Sequence, residues 1–130
     1  MRLLLIIYSI FDKNPNIDYI FNMIGTVYLL CDPSTELFKI GMTRGDVNKR
    51  IRELQTGNSC EIHLVKKFDT SIPSYIESSL HHHFFAKHAL NEWYDLDLKD
   101  ITDFDKTCMF YEDLARSLQV NPFFKHKITN

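Results

Sequence analysis

Between Tyr28 and Glu77 the chain carries side chains suited to gripping and hydrolysing a phosphodiester. Tyr28, Lys39, Arg44, Lys49, Arg50 and Arg52 put one phenol and five cations into a short stretch, and Glu77 follows with a carboxylate. Such a hydrolysis needs positive charge on the phosphoryl oxygens, a group to activate water, and stabilisation of the leaving oxygen. Arg50 could brace a phosphate bidentately, while Arg52, elsewhere on the same predicted helix, would suit contacts to a nucleic-acid backbone. Lys39 would hold a phosphate as a point charge. Mg²⁺ prefers carboxylate, water and phosphate oxygens and keeps several waters, so one protein carboxylate can suffice, and Glu77 is the candidate. Each residue also has an ordinary reading. A mid-strand Tyr is commonly half-buried core, helix arginines are commonly solvated, and Ser74-x-x-Glu77 has the form of a capping box.

The elements that must position these groups follow from pattern. Gly25-Thr26-Val27-Tyr28-Leu29-Leu30 and Phe38-Lys39-Ile40-Gly41-Met42 flank a turn at Asp32-Pro33-Ser34-Thr35, a strand–turn–strand signature. Gly41 marks a close backbone approach or a bulge. Asp46 is placed to cap a helix on which Val47, Ile51 and Leu54 form one apolar stripe, and Gly57-Asn58 stops it. Residues 61–68 read as a third, antiparallel strand with His63 half-exposed. Residues 73–87 read as a second helix with Ile76, Leu80 and Phe84 buried, and with Glu77 and His81 one turn apart on a neighbouring face. Consecutive helical residues diverge by about 100°, so His81, His82 and His83 do not converge on one ion. Residues 91–96 read as a short closing strand, with Asn91 as a turn former or a cleft hydrogen-bonder. Two further helical stretches follow, the clearer with Phe110, Leu114 and Leu118 packed on the domain. The expected fold is α/β of α+β type: a small, mainly antiparallel sheet of three strands flanked by helices.

The order and spacing of these residues resemble the GIY-YIG nuclease superfamily, closest to its phage-type DNA-binding and meiotically up-regulated branch, over residues 24–96. Gly25-Thr26-Val27-Tyr28 matches the first motif. Lys39-Ile40-Gly41 matches the second, eleven residues on, with Lys where the family name has Tyr. Arg50 matches the helix arginine, Glu77 the metal-binding glutamate, and Asn91 a polar residue that follows it. The resemblance implies a DNA endonuclease dependent on Mg²⁺ or Mn²⁺, with Tyr28, Lys39, Arg50 and Glu77 catalytic and Glu77 the metal ligand. Arg44, Lys49, Arg52 and Asn91 would contact the DNA substrate. In the family the tyrosine orients or deprotonates water; a phenol is a poor base near neutral pH, so a neighbouring cation must help. One turn beyond Arg50, where relatives carry His or Tyr, stands Leu54, which leaves His81 as a stand-in base. The alternative is a catalytically weak or inactive DNA-binding module of the same fold.

Length and composition agree with a single domain. The 130 residues carry a net charge of −2, which excludes a globally basic nucleic-acid binder. Charge is uneven, however: Lys39 to Lys67 holds seven basic against three acidic residues, and Asn91 to Asp113 eight acidic against two basic. A phosphate-facing patch beside a solvated acidic region fits this, as do two ordinary solvated faces. Cys31, Cys60 and Cys108 are odd in number and widely spaced, which indicates reduced thiols in an intracellular protein. The apolar run 3–11 is too short to span a bilayer and is not followed by a cleavage site. The expected division is an N-terminal extension at 1–22, dispensable for function, a GIY-YIG-like domain at 23–97 and a helical extension at 98–130.

Overall fold

The structure, a computed structural model, describes residues 24–119. The extension expected at 1–22 and the tail after Pro122 lie outside the described residues. Strand β1 (Gly25–Asp32) turns back into β2 (Leu37–Thr43) and places Tyr28 opposite Gly41, Leu29 opposite Ile40 and Leu30 opposite Lys39. The Asp32 carboxylate sets the turn by accepting from the Ser34 amide at 2.9 Å and its hydroxyl at 2.6 Å. Strand β3 (His63–Thr70) pairs with the other edge of β1. β1 is therefore interior, and Val27, Tyr28, Leu29 and Leu30 are all buried, which explains why its sequence is a continuous apolar run rather than an alternation.

The sheet has five strands, where three were expected. A small hairpin of β4 (His88–Leu90) and β5 (Trp93–Tyr94) adds to β2, giving the antiparallel order β3-β1-β2-β5-β4. Segments of three and two residues are too short to show a period of two; they become strands because the β2 edge offers partners. β5 pairs only with Phe38 and Lys39, so the edge of β2 away from β1 has no strand neighbour over its second half.

Helices cover both faces. Helix α1 (Val47–Thr56), capped by the Asp46 carboxylate on the Asn48 amide, lays Val47, Ile51 and Leu54 over Tyr28, Leu30 and Ile62, as its stripe predicts. Helices α2 (Pro73–His83) and α4 (Phe104–Gln119) cover the opposite face, where Ile76, Leu80, Phe84, Phe104 and Cys108 pack on Val27, Leu29 and Ile40. A short α3 (Leu98–Thr102), with a capping box between Asp97 and Asp100, leads into α4.

Three local expectations are corrected. The second helix ends at His83 and passes through a 3₁₀ turn, Phe85–Lys87, because Phe84 turns inward as the cap. Its N-cap is Ile72, with Pro73 in the first turn, so Ser74 lies inside the helix and no Ser74–Glu77 capping box forms. On α4 the buried stripe is Phe104, Cys108, Glu112 and Ala115, whereas Phe110 is 60% and Leu114 38% exposed. That helix carries two apolar stripes, and periodicity alone does not choose between them. Among the described residues no helix is long and apolar enough to cross a membrane.

Candidate functional site

Tyr28 lies on the α1 face of the sheet with only 1% of its surface exposed. Its ring crosses the strand to cover Gly41: a Cβ there would stand 2.5 Å from the Tyr28 hydroxyl oxygen. No glycine has positive φ, so Gly41 is needed for room rather than for backbone conformation. From α1, Arg50 donates to the Tyr28 hydroxyl, which leads the causes that raise the guanidinium pKa; it also meets Glu53 at 3.4 Å. Lys49, Arg50 and Arg52 are all exposed; Arg50 flanks the half-buried stripe of α1, while Lys49 and Arg52 fall on its outer side.

Lys39 stands beside Leu30 on the same face as Tyr28, because cross-strand partners share a face. Its ammonium pairs with Glu92 at 2.7 Å and lies 6.0 Å from the centre of the Trp93 ring. Past Lys39, where β5 ends, α2 supplies the missing partners of β2. His81 Nε2 lies 3.1 Å from the Ile40 carbonyl oxygen, and the Glu77 carboxylate accepts from the Met42 amide. Residues two apart on a strand point their polar groups the same way, and residues four apart on a helix lie one turn apart. The two spacings match, and Glu77 and His81 bracket Gly41. A carbonyl only accepts, so His81 Nε2 donates to it.

The electrostatics join these groups. Desolvation is the main cause that raises the Glu77 pKa; Glu92 adds to it, and His81, Lys39 and the Met42 amide oppose it. Glu92 is held below its ordinary value, first by its bond to Lys39 and then by smaller contributions from His81 and Arg50. Tyr28 and Arg50 thus form one pair, and Lys39, Glu77, His81 and Glu92 one cluster, with Glu92 in electrostatic reach of both cations. Of the residues expected to touch substrate, Arg44 lies on the exposed loop after β2. Asn91 has φ 54° in the β4–β5 turn, as a turn former would, one of the two roles expected of it, and it lines a groove that Lys39 also borders.

The sequence reading missed Glu92 and Trp93. Their link to Lys39 depends on the two-residue β5 pairing, which no periodicity reveals. The three histidines diverge as helix geometry requires: His81 faces Ile40, and His83 Nδ1 meets the Tyr111 hydroxyl at 2.9 Å. Among the described residues no group of three or more His, Cys, Asp or Glu could hold a metal ion. Glu77 is part-buried, and Glu92 lies within electrostatic reach of it.

A family model, the T5orf172 domain, matches residues 25–108, from the start of β1 into α4. The chain belongs to the T5orf172 domain family. This is a phage-associated domain of nuclease and DNA-binding type. The matched T5orf172 region contains every residue of the cluster and runs through Phe104 and Cys108, which complete the core beneath α2. No curated protein and no solved structure matches.

Proposed function

We propose that this T5orf172 domain is a DNA-binding endonuclease of GIY-YIG type that hydrolyses phosphodiester bonds with Mg²⁺ or Mn²⁺ and acts inside the cell. The observation that carries the reading is the position of Glu77 and His81 along the outer edge of the second half of β2, either side of Gly41. Tyr28 covers Gly41 on one face, and Lys39 is the neighbouring strand cation. A capping role for Glu77 would have removed it from the site, and that role is not filled.

In this reading Lys39 and Arg50 hold the phosphate, and Lys39 releases Glu92 as it does so. The Glu92 carboxylate is 62% exposed, so this ion pair is weak enough to exchange. Glu77 would hold the cation, with Glu92 in reach, and a cation held there would supply positive charge for the phosphoryl and leaving oxygens. The Tyr28 hydroxyl, fixed by Arg50, orients the attacking water, and His81 Nδ1 accepts its proton.

One observation favours a second reading, a DNA-binding module with little catalysis. Glu77 and His81 each already satisfy a backbone group of β2, which a purely architectural role would explain. Incubating plasmid with the protein and Mg²⁺ separates the two. Cutting that is lost in Glu77→Ala supports the nuclease; cutting that survives the substitution, or never occurs, defeats it. A salt titration of DNA binding tests both, since phosphate contacts weaken as salt rises.

A further inference from the structure

Beside the phosphate-binding groups runs a cavity of about 440 Å³, between the C-terminal half of α1 and the β2–β5 part of the sheet. Its apolar lining comes from Leu37, Leu54, Ile62, Leu90 and Trp93, and Asn58 and Asn91 are among its polar lining residues. Trp93 is only part-buried and turns toward the α1 face through its pairing with Lys39. Lys39, Asp32 and Glu53 all line the cavity, together with Asn58 and Asn91. A phosphate is favoured beside Lys39 and repelled beside the carboxylates, and the amide oxygens can accept hydrogen bonds from amino groups. An aromatic face, an apolar lining and hydrogen-bond acceptors form a receptacle for a nucleobase bearing an exocyclic amine.

We infer that this groove receives one unpaired base of a DNA strand, stacked on Trp93, while the phosphate of the same nucleotide rests on Lys39. The Lys39 ammonium lies over the Trp93 ring, 6.0 Å from its centre, so cation and aromatic ring are immediate neighbours in one groove. A base seated between helix and sheet has left its duplex stack, so the groove selects single-stranded or extruded nucleotides over paired ones. The inference rests on the proposed phosphate role of Lys39 but not on cutting.

Trp93 is the only tryptophan in the chain, so intrinsic fluorescence reads this groove directly. The probes are a short single strand of deoxyadenosines and an abasic strand of equal length, both without divalent metal. Quenching by the adenine strand is expected, together with affinity roughly ten- to a hundredfold above that of the abasic strand. Trp93→Leu removes that margin, and Trp93→Phe restores most of it, which a variant that merely misfolds does not do. Equal affinity of both strands, with equal fluorescence change, overturns the base site. Plasmid cutting by the parent protein keeps the two proposals apart: a margin in a parent that never cuts plasmid with Mg²⁺ sinks only the nuclease, and Glu77-dependent cutting without a margin sinks only the groove.

Discussion

Replacing Gly41 by Ala tests whether the Tyr28 ring is what forbids a side chain there. The new Cβ would lie 2.5 Å from the hydroxyl oxygen, 2.6 Å from Cζ and 2.7 Å from Cε1. Comfortable carbon contacts begin near about 3.5 Å, so the ring must retreat by roughly 1 Å. Tyr28 has nowhere to go, being buried against Leu30 and Ile62 beneath α1. Overpacking of this kind costs about 1–3 kcal/mol, whereas Ala in a strand recovers about 0.5–1 kcal/mol over Gly. The clash wins, and a net loss of about 1–2 kcal/mol is expected in urea denaturation. Tyr28→Phe offers no relief, since Cζ and Cε1 remain. In a Tyr28→Val background the clash disappears and Gly41→Ala becomes neutral or slightly stabilising, a coupling of about 1–3 kcal/mol in a double-mutant cycle. If Ala costs the same in both backgrounds, Gly41 serves something other than the ring.

Three further outcomes are expected. Desolvation raises the Glu77 pKa, so the folded state is penalised as pH rises through that raised value, and the penalty vanishes below the ordinary glutamate range. Glu77→Gln should therefore be more stable than the parent at neutral pH and equal to it in acid, while abolishing cutting; a variant less stable at neutral pH would mean that the Met42 bond outweighs desolvation. Lys39→Met should lower the slope of log affinity for DNA against log salt by about 1. Its stability should change by less than about 0.5 kcal/mol, because the Glu92 it pairs with is largely exposed; an unchanged salt slope removes Lys39 from the phosphate contacts. Burial pushes the Cys108 thiol well above its usual range, so a thiol reagent at neutral pH should label the part-exposed Cys31 and Cys60 and reach Cys108 only on unfolding. Equal labelling of all three would contradict the packing of α4.

Much of the α1 face was legible because its signals are local. Asp46, the Val47–Ile51–Leu54 stripe and the paired runs around Pro33 each carry their meaning within a few residues, and the helix and the hairpin follow; Gly41 was legible as a close approach, but not that Tyr28 makes it. The convergence of Glu77 on Lys39 was anticipated only through the resemblance, since nothing local in residues 73–87 distinguishes a site glutamate from a capping one. What escaped is what the tertiary structure decides. Trp93 and Glu92 reach Lys39 through a two-residue strand, and the choice between the Phe104 and Phe110 stripes of α4 is made by the core, not by the helix.

The half-paired state of β2 has a consequence for how this protein can vary. An open strand edge invites a second chain to bond along it, and here the side chains that close that edge are Glu77 and His81. Changing either one risks self-association as well as lost chemistry, so the sites of possible activity and of colloidal safety coincide. Inactive descendants of such a domain would then tend to retain both residues, and their presence alone is a poor guide to whether a relative still cuts.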